Sequence, residues 1–194
     1  VVMMVAMMLP SALPMVLTYH EISRLEHGEP TRRPDRVGTA VFGSAYFVVW
    51  GVFSLVAFLA LSVLGLLGPL TGLLAVLPGG VLLVAGAWQV TQTTEACLTH
   101  CQSPLGFVMH RWRAGRLGAW RMGARHAAYC IGCCWLLMLV LFVSGAMSLV
   151  WMAGISAAIF VEKVGWRPTL TPRVTGAILV VAGALVLAQA FAVL

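Results

Sequence analysis

Charge is what this sequence has least of. Only 9% of its 194 residues are Asp, Glu, Lys or Arg, where soluble domains carry about 25%. That scarcity excludes an ordinary soluble domain. A chain that is 61% hydrophobic is not a disordered one either. There is no Walker loop, dinucleotide fingerprint, HExxH helix, nucleophile elbow or CxxCH haem site, so the commonest sequence marks of nucleotide, protease, hydrolase and cytochrome chemistry are missing. No soluble linker, repeat or low-complexity tract interrupts the apolar runs. Acidic residues are rarer than basic ones, giving a net charge of +6. The basic residues all fall in short polar interruptions, which points to membrane topology and away from nucleic acid.

What remains is apolar sequence, and at about 20 residues per span it leaves room for little but membrane helices. Six hydrophobic segments can be read: 1–19, 39–66, a third ending near 94, 126–142, 146–161 and a last one running to 194. The expected fold is all-α, a polytopic membrane helical bundle forming one domain over 1–194. Pro10 and Pro14 predict a kink or break in the first segment. Gly68, Pro69 and Gly72 mark a turn before the third segment, and Pro78 is either a kink within it or its start. An amphipathic lead-in from Leu117 precedes the fourth segment, and Ser144 with Gly145 turns into the fifth.

The arginines and the lysine give this layout an orientation. Arg24, Arg32, Arg33 and Arg36 lie in 20–38, and Arg111, Arg113, Arg116, Arg121 and Arg125 in 95–125. Lys163, Arg167 and Arg173 lie in 162–173, which completes all 12 basic residues. With six alternating spans these three loops share one side, and the positive-inside rule makes that side the cytoplasm. Both ends of the chain then face outward, and a further helix upstream of Val1 is expected.

All five cysteines lie between positions 97 and 134. Cys97 and Cys101 stand at i, i+4 with His100 beside them, one face of a helix if the third segment continues that far. His126, Cys130, Cys133 and Cys134 stand at i, i+4, i+7 and i+8, a single helical stripe. Thiolate and imidazole are ligands for copper(I) and zinc, and a reducing cytoplasmic face disfavours structural disulfides. Cysteine is also a small packing residue in membrane helices. Its concentration beside histidine favours metal or redox chemistry, with copper first and zinc possible.

Met4, Met7 and Met8, with Met3, crowd the first segment, and Met138, Met147 and Met152 lie in the fourth and fifth. Thioether sulfur binds copper(I) without losing a proton. A methionine-lined outer end and a cysteine-lined inner end would make a copper path, although methionine also fills irregular helix contacts. His20, Glu21 and His27 read as a solvated interfacial face. Glu162 with Lys163 reads as a capping salt bridge with a snorkelling lysine. Trp88 and Gln89 read as interhelical hydrogen-bond formers.

The run Met4-Val5-Ala6-Met7-Met8-Leu9-Pro10, with Pro14 following, resembles the opening motif of a bacterial family of unknown function. Its members are described as predicted metal-binding integral membrane proteins. The likeness continues through Ala85-Gly86-Ala87-Trp88-Gln89, Cys97-Leu98-Thr99-His100-Cys101 and Gly123-Ala124-Arg125-His126. Its most specific part is Tyr129-Cys130-Ile131-Gly132-Cys133-Cys134-Trp135. Where members often show His-Gly, this chain has His126-Ala127. The resemblance implies an all-helical protein of the bacterial inner membrane with metal ligands, and members usually carry a further hydrophobic segment upstream.

The leading functional expectation is a copper protein of the membrane, engaged in transport, storage or delivery. Cys97, Cys101, Cys130, Cys133, Cys134, His100 and His126 are its inner candidate ligands and Met4, Met7 and Met8 its outer ones. Its expected partners are the lipid bilayer and a metal donor or acceptor protein or larger membrane complex. The alternatives are a membrane metalloenzyme or thiol-redox subunit acting on a lipid-soluble substrate, and a structural subunit of such a complex.

Overall fold

The computed structural model describes residues 2–24, 35–65, 76–143, 149–165 and 170–193. Among them the chain forms eight helices and no strand: α1 (Val2–Ile22), α2 (Arg36–Val63), α3 (Leu77–Gln89), α4 (Gln92–Gln102), α5 (Pro104–Arg111), α6 (Gly115–Val143), α7 (Leu149–Val164) and α8 (Leu170–Val193). The all-helical expectation holds. Of the six expected spans, α2, α6 and α8 are long and apolar enough to cross a membrane, and α3 is a shorter apolar helix. The turns at Gly68–Gly72 and Ser144–Gly145, and His27, Arg32, Arg33, Met147 and Arg167, lie outside the described residues, as do the side chains of Met3 and Met4.

Local chemistry sets the helix ends. Asp35 caps α2, its carboxylate accepting the Val37 N–H at 3.0 Å, the usual way of satisfying a donor in the first turn. Pro78 sits in the first turn of α3, so it starts that helix and does not kink it. The third segment stops at Gln89, short of the expected 94, because Thr91 leaves the helix and caps α4 instead. The cysteines at 97 and 101 therefore ride on a separate helix. The lead-in from Leu117 and the apolar run after it form one helix, α6.

The expected break in α1 is also corrected. α1 passes through Pro10 and Pro14 as one helix. Each proline forfeits a backbone donor. Hydroxyls supply local bonds along the same stretch, Ser11 to the Met8 carbonyl at 2.9 Å and Thr18 to the Pro14 carbonyl at 2.8 Å.

α6 is the hub, packing against α2, α3, α4 and α7. α3 packs against α8 along a glycine seam. A β-carbon at Gly86 would lie 2.6 Å from the Gly176 carbonyl oxygen, and one at Gly183 would lie 2.9 Å from that of Gly79. Small residues let membrane helices approach this closely. The outer faces of α2 and α8 expose Val52, Val56, Phe58, Ile178, Val181 and Leu185, an apolar surface suited to lipid.

Candidate metal centre

α6 buries its histidine–cysteine stripe. Cys130, Cys133 and Cys134 are inaccessible to solvent or nearly so, and His126 is 2% exposed. Helical spacing explains why they share a face. The Cys133 and Cys134 thiols both donate to the Cys130 carbonyl, at 3.1 and 2.8 Å. Two thiols thus converge on one carbonyl, and all three cysteines are free.

Cys130 is the best-connected of them. Lys163, reaching in from α7, places Nζ 2.6 Å from its sulfur, and Tyr46 of α2 places Oη 3.1 Å from it. Lys163 also donates to Ser11 Oγ of α1 at 3.3 Å. Four helices therefore meet at one sulfur atom and its lysine. The expected snorkelling of Lys163 is overturned: it is 6% exposed and Glu162 only 3%. A buried ammonium needs partners, and the sulfur and the hydroxyl provide them. Glu162 does not pair with Lys163; it accepts from Gln89 Nε2 at 2.8 Å, while its carbonyl accepts from Gln102 at 2.6 Å.

His126 is held in an aromatic box, stacked on Tyr46 at 5.4 Å and on Phe42 at 6.4 Å. Neither ring nitrogen has a hydrogen-bond partner. Buried polar atoms nearly always have one, so this imidazole carries unused ligating capacity. It lies one helical turn from Cys130.

The remaining candidates divide. Cys97 projects from α4 toward α6, where a β-carbon on Gly132 would stand 2.7 Å from its sulfur. Burial, and then the neighbouring Cys133, push the Cys97 thiol above its usual range. Cys101 is buried in the same core as the α6 thiols. His100 is not gathered with them: it stacks on Tyr129 at 4.4 Å and bonds the Ala96 carbonyl through Nδ1 at 2.8 Å. Met7, Met8 and Met138 are buried in the core that holds the cysteines. Met8 Sδ is 4.0 Å from Ser11 Oγ, which links it through Lys163 to Cys130. Among the described residues, no three His, Cys, Asp or Glu side chains are grouped to enclose a metal ion. The donor types present, sulfur and imidazole, are those that copper(I) and zinc take.

The sequence reading missed Tyr46, Ser11 and the inward course of Lys163. The one available signal was a lone lysine in an apolar run, since ionisable residues inside membrane helices tend to face the protein interior. Trp88 and Gln89 do make the interhelical bonds expected of them, Trp88 donating to the Gly132 carbonyl at 3.2 Å.

A helical bundle that buries free thiols, thioethers and an unpartnered imidazole together holds the donor types of soft-metal chemistry. The family model PpoB2, described as copper chaperone, matches residues 1–186, and the chain belongs to that family. No curated protein and no solved structure matches it.

Proposed function

We propose that this protein is a membrane-embedded copper chaperone, with copper(I) as its cargo. Cys130 and one of Cys133 and Cys134 would hold the ion, and His126, not gathered with them in the metal-free arrangement, would close in as a third donor when the ion binds. Binding would release the thiol protons, as metal binding to cysteine does. The Lys163 ammonium would balance the charge that the copper-bound thiolates keep. Met7 and Met8, which bind without deprotonation, would pass the ion inward from α1. Cys97 and Cys101 on α4 would receive it for delivery to an acceptor on the basic, cytoplasmic side. In this reading α1, α3 and α7 cross the bacterial inner membrane beside α2, α6 and α8, completing six spans. Met4, Met3 and His100 are not needed for the inner site.

The observation that carries the reading is the buried His126, with both ring nitrogens unpartnered, one helical turn from the buried Cys130 and two from the buried Cys133 and Cys134. Its test is elemental analysis of detergent-purified protein prepared anaerobically with reductant, beside a variant lacking all five thiols. Near-stoichiometric copper that the variant loses is the expected result. Zinc in its place would change the cargo, and metal-free protein would remove the chaperone reading.

A second reading has one observation of its own. A lysine 2.6 Å from a buried cysteine sulfur is also how a reactive thiolate is stabilised. A thiol-redox subunit would form a disulfide within the Cys130–Cys134 group on adding a quinone, detectable by mass.

A further inference from the structure

The largest concentration of positive charge in the described chain lies away from the thiols, where α5 turns into α6. A cavity of about 410 Å³ there is lined by Arg111, Arg113, Arg121 and Arg125, with Trp120 at its edge. The four are solvent-exposed, so water and salt damp their mutual repulsion, and a negative group between them would turn it into attraction. Among the described residues no such group pairs with them: the one salt bridge joins Arg24 to Glu21.

The turn that gathers these arginines is built for it. Gly115 has φ +78°, a conformation that costs other residues energy. A β-carbon at Gly118 would run into the Arg113 carbonyl, so Arg113 can fold back over the first turn of α6 only because glycine stands there. Trp112, at the start of the turn, stacks on Tyr19 of α1 at 5.3 Å and ties it to the bundle. Trp120, 38% exposed, Met122 and Ala124 complete the lining. Guanidinium groups beside a part-exposed tryptophan are the side chains found at the level of lipid headgroups.

We propose that Arg111, Arg113, Arg121 and Arg125 form a binding site for a phosphate group. Its forked guanidinium donors suit phosphate oxygens. The group is carried by an anionic phospholipid headgroup or by a free phosphate compound, and Trp120 in the lining favours the lipid. The site is independent of the copper reading and would stand if the protein bound no metal.

Native mass spectrometry of the full chain in detergent, titrated with phosphatidylglycerol and with phosphatidylcholine, tests it. Wild type should retain phosphatidylglycerol about tenfold more tightly than Arg113→Gln/Arg121→Gln. Arg173→Gln, a basic residue outside the cavity, should match wild type. Retention that survives excess inorganic phosphate assigns the site to lipid. Displacement by inorganic phosphate, together with direct phosphate binding lost in the double variant, assigns it to a soluble phosphate compound. Equal retention of both lipids and no phosphate binding overturns the proposal, as does a double variant, helical by circular dichroism, that binds like wild type. If the double variant does not fold, Arg125→Gln alone is read in the same way.

Discussion

Lys163 Nζ lies 2.6 Å from Cys130 Sγ, closer than to any other partner described for it, and both side chains are withdrawn from solvent. The two are not equivalent if one is removed. Cys130→Ala leaves a buried ammonium with the Ser11 hydroxyl alone, and a buried charge that loses its main partner costs about 3–5 kcal/mol. Lys163→Met takes the charge away and leaves neutral groups unmatched, about 1–3 kcal/mol. Thermal unfolding in one detergent should therefore rank wild type above Lys163→Met and Lys163→Met above Cys130→Ala. The double variant should recover part of the loss. The reverse ranking would mean that the sulfur is not what holds the lysine.

His126 separates ligand from filler. An imidazole kept only for packing would be missed when replaced. One kept for a metal is a cost to the empty protein, because its nitrogens are buried without partners. His126→Leu should therefore leave thermal stability unchanged or raise it by about 1 kcal/mol, while copper(I) retention against a chelator falls at least tenfold. A variant that unfolds but still binds copper when refolded would return His126 to a packing role.

Glu162 and Gln89 are joined by one bond, leaving Gln89 Oε1 buried and unpartnered. An amide at 162 supplies the missing donor and removes a buried carboxyl. Glu162→Gln should fold and unfold at a temperature equal to or above wild type. A clear drop in that temperature would show that the carboxylate itself is required.

The glycines are predicted to differ by position. At Gly86 a β-carbon meets backbone, the Gly176 carbonyl, which cannot turn aside as a flexible side chain can. At Gly154, also helical, it meets nothing within 4 Å. Gly86→Ala should lower stability by about 1–3 kcal/mol, as overpacking does, and Gly154→Ala should raise it by about 0.5–1 kcal/mol. Matched melting curves of the two variants decide this.

Periodicity made the stripe on α6 legible, since His126, Cys130 and the Cys133–Cys134 pair follow one another at single helical turns and are buried together. It was silent about what the stripe would face. Tyr46 lies 84 positions from Cys130 and Lys163 lies 33, and no local pattern encodes a contact over such separations. Lys163 was read as interfacial because it ends an apolar run beside Glu162, and a free helix would leave it there. Packing against α1 and α6 turned it inward. His100 misled for a related reason: sequence places it next to Cys101, but its ring stacks on Tyr129. The end of α3 at Gln89 was missed because threonine is common in membrane helices and only its capping geometry shows that the helix stops.

The closing residues of α7 carry an implication for how the protein is made. Glu162 finds its partner on α3 and Lys163 finds its own on α1 and α6. Until those helices are in place, α7 brings two ionisable groups with nothing to meet, and an unpartnered buried charge is costly. Translation supplies α1, α3 and α6 before α7, so the partners are waiting when it emerges. The order of the genetic message is therefore also an order of docking, and a ribosome that released the chain after α6 would leave a buried sulfur without its cation.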